Sequence, residues 1–250
     1  MNETRIDIAT KSGAMSTFVV APEEGGPYPA VLVLMDAPGI RESLRDIARR
    51  IASVGYVTLL PDLYHRIGSG ISIGPTRNHP DAERNVQVML AHVRTLSNAL
   101  VVEDVGAVLD YLSGDARVRP GTLGAVGYCM SGGFVFAAAA AFPSRIGCAA
   151  SFYGTRLVTE RDDSPHRAAS RIQAEMYFAF AESDHYVPPE QVEALRAYLA
   201  ATTLRHRIEV YPGTQHGFAF PDRGSYQRDA AERHWERLFA LLRRNLGGAG

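Results

Sequence analysis

Short unbroken apolar runs alternate, along these 250 residues, with stretches in which apolar residues recur every three or four positions. Residues 30–35, Ala-Val-Leu-Val-Leu-Met, are continuously apolar, as a strand buried on both faces should be. Residues 42–54 then mix charged and apolar residues at helical spacing, and Gly55 is placed to end that helix. The spacing predicts further strands at 56–60, 123–126, 146–152, 175–181 and 206–211, and further helices at 81–95, 101–113, 189–201 and 225–245. The second of those helices carries an apolar stripe of Val102, Val105, Val108, Leu109 and Leu112. Residues 4–10 and 15–21 read as an opening antiparallel pair around Lys11-Ser12-Gly13. The whole predicts a doubly wound α/β fold, a mostly parallel sheet with helices on both faces.

Two stretches stand outside the pattern. Residues 62–80 lose periodicity and are rich in Gly, Ser and Pro, which predicts a long, lid-like surface excursion. Residues 137–141 are all alanine, which fits a helix packed close against a sheet. Nothing resembles a linker or a repeat, so residues 1–250 read as a single domain.

With 46% hydrophobic residues the chain can bury a substantial core unaided. A formal net charge of −1 and a pI near 6.7 offer no footprint for nucleic acid or an anionic membrane. No apolar run approaches the ~20 residues of a membrane helix, and the start lacks the pattern of a signal peptide. Cys129 and Cys148, the only cysteines, are too few for a disulfide framework, so a reducing cytoplasm is the expected setting. No His/Cys/Asp cluster has metal-ligand spacing and no Gly-rich loop precedes a phosphate-binding Lys, so no metal and no cofactor are expected. A monomer or small homo-oligomer acting on a small molecule fits these facts.

Candidate chemistry centres on Gly127-Tyr128-Cys129-Met130-Ser131-Gly132-Gly133, between the apolar run at 123–126 and an alanine-rich helix. Such a turn holds a nucleophile in a strained conformation, and small residues must flank it so that strand and helix can approach. The helix also aims its unpaired N–H groups at the sulfur, favouring a thiolate and an oxyanion. The competing explanation is a glycine-rich loop beside a buried cysteine. A rival elbow, Cys129-x-Ser131-x-Gly133, makes Ser131 the nucleophile, but a strand ending at 126 puts 129 at the turn and 131 inside the helix.

In this fold, ligands bind beyond the carboxyl ends of the strands. Asp184 follows one predicted strand and His216 another, giving the order nucleophile, acid, histidine used by α/β-hydrolases. A histidine activates the thiol and a carboxylate holds the ring in the right tautomer. Taken singly, Asp184 is explained as a helix cap and His216 as a turn residue beside Gly217; His185 competes with His216. An oxyanion hole requires two backbone donors: Met130 supplies one, and because Pro38 has no N–H, Ala37 supplies the other. Asp36 would overhang the same cleft, although alone it reads as an ordinary strand-end aspartate in a turn, and Tyr64 either binds leaving group or oxyanion or packs under the loop.

At these residues the chain resembles the dienelactone hydrolase family of cysteine-bearing α/β-hydrolases, over nearly its whole length. Gly-Tyr-Cys at 127–129, Pro61-Asp62-Leu63-Tyr64, Asp184-His185 with Val187-Pro188, and Gly-x-x-His at 213–216 carry the likeness. The resemblance implies an α/β-hydrolase fold, with Cys129 as nucleophile, His216 as base and Asp184 as its orienter. It also implies that Asp36, where the founding type has glutamate, partners the resting thiol, although aspartate is shorter by one methylene. The family's His-Ser-Phe-Ala-Arg is here His216-Gly217-Phe218-Ala219-Phe220, so an aromatic, Phe220, stands in the substrate-binding place of the carboxylate-gripping arginine. A more apolar or differently charged ester or lactone is therefore expected, unless Arg66, Arg77 or Arg84 restores a cation. A non-catalytic ligand-binding member of the fold is the alternative of another class.

Overall fold

The computed structural model of the chain describes residues 1–74, 76 and 79–247. Its strands are β1 (Asn2–Thr10), β2 (Gly13–Ala21), β3 (Ala30–Leu34), β4 (Val57–Pro61), β5 (Leu123–Tyr128), β6 (Ile146–Phe152), β7 (Glu175–Ser183) and β8 (His206–Gln215). They form one sheet in the order β1-β2-β4-β3-β5-β6-β7-β8, parallel from β4 to β8, with β1 and β2 antiparallel at one edge. The helices are α1 (Glu42–Ala52), α2 (Ala82–Val93), α3 (Asn98–Ser113), α4 (Ser131–Ala141), α5 (Pro189–Ala200) and α6 (Arg228–Leu246).

Every residue of β3, β4 and β5 is buried, which is why their sequences show no alternation. Residues three apart in a strand face opposite sides. A methyl added at Gly124 would meet Leu242 of α6, and one added at Gly127 would meet Ser131 and Val135 of α4, so α4 and α6 cover opposite faces of β5. The alanine run lies in α4, whose Ala138, Ala139 and Ala140 are buried. From β3 the chain winds first to β4 on one side and later to β5 on the other. The loops after β3 and β5 therefore diverge and leave a crevice between them, the usual ligand position in such sheets.

The excursion runs over the surface, with residues 67–70 exposed, but its base is anchored. Leu63 and Tyr64 are fully buried, and Asp62 accepts from the N–H groups of Tyr64 and Gly70, both at 3.0 Å. Arg66 grips the buried Asp104 of α3 at 2.7 and 2.8 Å. Ile73 N–H donates to the Pro38 carbonyl at 2.7 Å, next to an antiparallel bridge between Gly39 and Ser72. A few apolar and ionic anchors thus tie residues 62–73 of this surface segment to the body. The expectation for Arg77 lies outside the described residues. A short 3₁₀ helix at Pro165–Arg171, too brief to show periodicity, was not predicted. Among the described residues no helix is long and apolar enough to cross a membrane.

Candidate active site

Cys129 follows β5 directly and has φ of +55°, a left-handed conformation costing about 1–3 kcal/mol for a residue with a side chain. The turn is held by the Cys129 N–H donating to Phe152 at 3.1 Å and by the Cys129 carbonyl accepting from Gly132 and Thr155 at 3.1 and 2.9 Å. Positions 127 and 132, on either side of it, have no room for a side chain. A methyl on Gly127 would lie 2.6 Å from the Ser131 carbonyl carbon and 2.9 Å from Val135 Cγ1, and one on Gly132 would run into Gly154 and Ser151.

β7 and β8 end side by side, Ser183 opposite Gln215, so the next residues on each strand meet. There His216 Nδ1 lies 2.7 Å from Asp184 Oδ2. The other Asp184 oxygen accepts from the N–H groups of Tyr186 and Val187 at 2.9 and 3.3 Å, which fixes the carboxylate toward the ring. Asp184 makes no cap hydrogen bond to α5. The far nitrogen, His216 Nε2, is buried without a hydrogen-bond partner among the described residues. Burial opposes charge on this imidazole, but the nearby Cys129 sulfur and the bond to Asp184 outweigh it and raise its pKa to about 10. Tyr153 and Tyr186 stand edge-on to the ring at 5.0 and 4.8 Å between centroids. His185 is exposed and tilted against the Tyr186 ring, 3.8 Å between centroids, with no bond to Asp184 among the described residues.

Cys129 and His216 share a cavity of about 340 Å³ with Asp36, Ala37, Met130 and Tyr153. Met130 is the N-cap of α4, where backbone N–H groups lack intrahelical partners. Among the described residues neither its N–H nor that of Ala37 donates to a protein acceptor. Ser131 is fully buried inside α4 and its hydroxyl donates to the Met35 carbonyl at 2.5 Å, so it faces away from the cavity. Cys148 is fully buried in β6, and desolvation together with Glu175 pushes its thiol up to about 12. It has no access to a substrate.

Three expected site residues serve other ends. Asp36 reaches the cavity, but its oxygens are taken by Arg41, one contact being 3.0 Å, and by Arg223 at 3.1 Å, instead of the thiol. Those arginines lie far off in sequence or beyond a turn, and only the fold reveals them. Phe220 is fully buried and does not line the cavity; it packs edge-on against Tyr128 at 5.1 Å, with the Arg41 guanidinium 4.7 Å above its ring. Tyr64 is fully buried and lines no part of the cavity; its hydroxyl donates to the Ala37 carbonyl at 2.7 Å. Arg66 is spent on Asp104, and Arg84 is an exposed residue of α2 outside the cavity. Sequence reasoning missed Tyr153, although its place just after β6 was a usable signal, and missed Arg156, which lines the cavity in a left-handed conformation.

A mostly parallel sheet with a strained elbow after β5, an acid after β7 and a histidine after β8 makes this an α/β-hydrolase. Within that class the chain belongs to the dienelactone hydrolase family, whose model matches residues 15–246. A Synechocystis protein provisionally named carboxymethylenebutenolidase is 28% identical over 246 residues, 97% of each chain. A Bradyrhizobium protein, provisionally named 2-oxo-3-(5-oxofuran-2-ylidene)propanoate lactonase, is 26% identical over 97% of this chain and 94% of its own. The crystal structure of a provisionally named dienelactone hydrolase from Klebsiella pneumoniae superposes with a TM-score of 0.82 at 25% identity, covering 96% of this chain and 97% of that one. The chain is accordingly a hydrolase of ester or lactone bonds.

Proposed function

We propose that this hydrolase works by acyl transfer through a thioester on Cys129, with His216 as proton carrier, Asp184 as its orienter, and the N–H groups of Ala37 and Met130 as the oxyanion hole. The observation carrying the proposal is the Asp184-anchored imidazole whose free Nε2 is buried in the cavity that holds Cys129. The Cys129 thiolate attacks the carbonyl carbon, and the oxyanion is held by the two N–H groups. On collapse, the carbon–oxygen bond breaks and His216 gives its proton to the departing alkoxide. Acylation removes the sulfur's charge, the main influence raising the His216 pKa, while burial still lowers it. His216 thus becomes a base when one is needed. It takes a proton from water, hydroxide attacks the thioester, and the thiolate leaves as the acid is released. A reducing cytoplasm would keep the thiol available.

Substrate preference follows from the charges of the cavity wall. Met89, Leu90, Val93 and Val158 give it an apolar side. The charges of Arg41 and Arg223 are answered by Asp36 and Asp222, and Arg156 is exposed, where water screens it. Neutral esters and lactones are therefore the proposed substrates. A panel of matched chromogenic esters and lactones, with and without a carboxylate, tests this: the neutral member of each pair should have the higher kcat/KM. A wide preference for carboxylated members would overturn the assignment.

A further inference from the structure

We infer that Tyr64 and Ser131 are positioning residues that lock the oxyanion-binding peptide at Ala37; the inference rests on the acyl-transfer reading above. An oxyanion donor is effective when it is fixed before the charge develops, so that no reorganisation accompanies the chemical step. The N–H of Ala37 belongs to the peptide unit joining residues 36 and 37. Four consecutive carbonyls around that unit are each held by a separate donor. Met35 accepts from the Ser131 hydroxyl at 2.5 Å, Asp36 from the Gly39 N–H at 3.0 Å, Ala37 from the Tyr64 hydroxyl at 2.7 Å, and Pro38 from the Ile73 N–H at 2.7 Å. The units before and after the donor peptide are thus fixed by side-chain hydroxyls, and the donor unit itself by a tight turn.

The two hydroxyls come from different directions. Ser131 is the first residue of α4, directly after Met130, so its bond ties the β3 loop to the helix end that supplies the second donor. Tyr64 comes from the excursion after β4, and its hydroxyl also lies 3.8 Å from Met130 Sδ. Both side chains are fully buried and neither lines the cavity, so neither touches substrate. The excursion braces the oxyanion hole: Tyr64 near its start and Ile73 further along hold successive carbonyls of the same turn.

Tyr64→Phe and Ser131→Ala, each removing one hydroxyl and little else, separate positioning from mere packing. Loss of a direct oxyanion donor costs about 10²–10³-fold in kcat, and loosening one should cost less, roughly 10-fold or more. The expected pattern is a fall in kcat for p-nitrophenyl acetate with KM little changed. Alkylation of Cys129 by iodoacetamide, a displacement that develops no oxyanion, should keep its wild-type rate in both variants. The thermal midpoint, measured alongside, reports any loss of fold. Unchanged kcat in Tyr64→Phe, or esterolysis and alkylation falling together, would overturn the inference. If instead Cys129→Ala retained esterase activity, the acyl-transfer reading itself would fail, an outcome distinct from either.

Discussion

Cys129→Ala is expected to lose ester hydrolysis by about 10⁴-fold or more, because removing a nucleophile from a triad costs nearly as much as removing the triad. The fold should tolerate it, since alanine keeps the Cβ and deletes one atom. The same variant should move His216. In the intact site burial depresses the imidazole pKa, and the Cys129 sulfur is the largest influence raising it to about 10. With the sulfur gone, only Asp184, through its hydrogen bond and its charge, opposes burial, so the His216 pKa is expected to fall. A titration of the ring resonances by NMR reads this directly in wild type and variant. Residual activity within tenfold of wild type, or a His216 pKa that does not drop, would contradict the assigned roles.

Gly127→Ala is expected to produce the largest loss of stability at the site. The added methyl would press on the main chain of Ser131 and on Val135 Cγ1, and the Ser131 backbone opens α4 directly behind the elbow. Relief requires the helix to retreat, which carries Met130 and the Cys129 turn with it. Overpacking a tight site costs about 1–3 kcal/mol and occasionally more, and contact with backbone belongs at the upper end. For a domain of this size the melting temperature should fall by roughly 6–12 °C, measured by calorimetry or circular dichroism. A midpoint within about 1 °C of wild type would mean that strand and helix are not as closely packed here as the geometry requires.

The elements and the strand-end residues were legible because they obey local rules. Apolar runs marked β3 and β6 closely, and the search for polar residues just beyond each run led to Cys129, Asp184 and His216. Strand ends were less visible. β5 runs on through Gly127 and Tyr128, and β8 through Pro212 to Gln215, where composition resembles a turn. The fate of Asp36 was hidden for another reason: its partner Arg223 lies 187 positions away, and such pairing is set by the fold alone. The surroundings of Phe220 could not be read from its position either. Only four residues from His216, it follows the turn at Gly217 and enters the core beside Phe218. Tyr64 was noticed for its motif but left between substrate binding and packing under the loop, since nothing local shows that its hydroxyl meets the Ala37 carbonyl.

The central claim is a covalent acyl group on Cys129 during turnover. Acid-quenching the enzyme as it hydrolyses p-nitrophenyl acetate, followed by peptide mass spectrometry, tests it most directly. One acetyl group is expected on the peptide containing Cys129, absent from Cys129→Ala and labile to hydroxylamine as a thioester should be. An acetyl group on Ser131, or full turnover with no trapped adduct in an enzyme that still shows a burst, would contradict it.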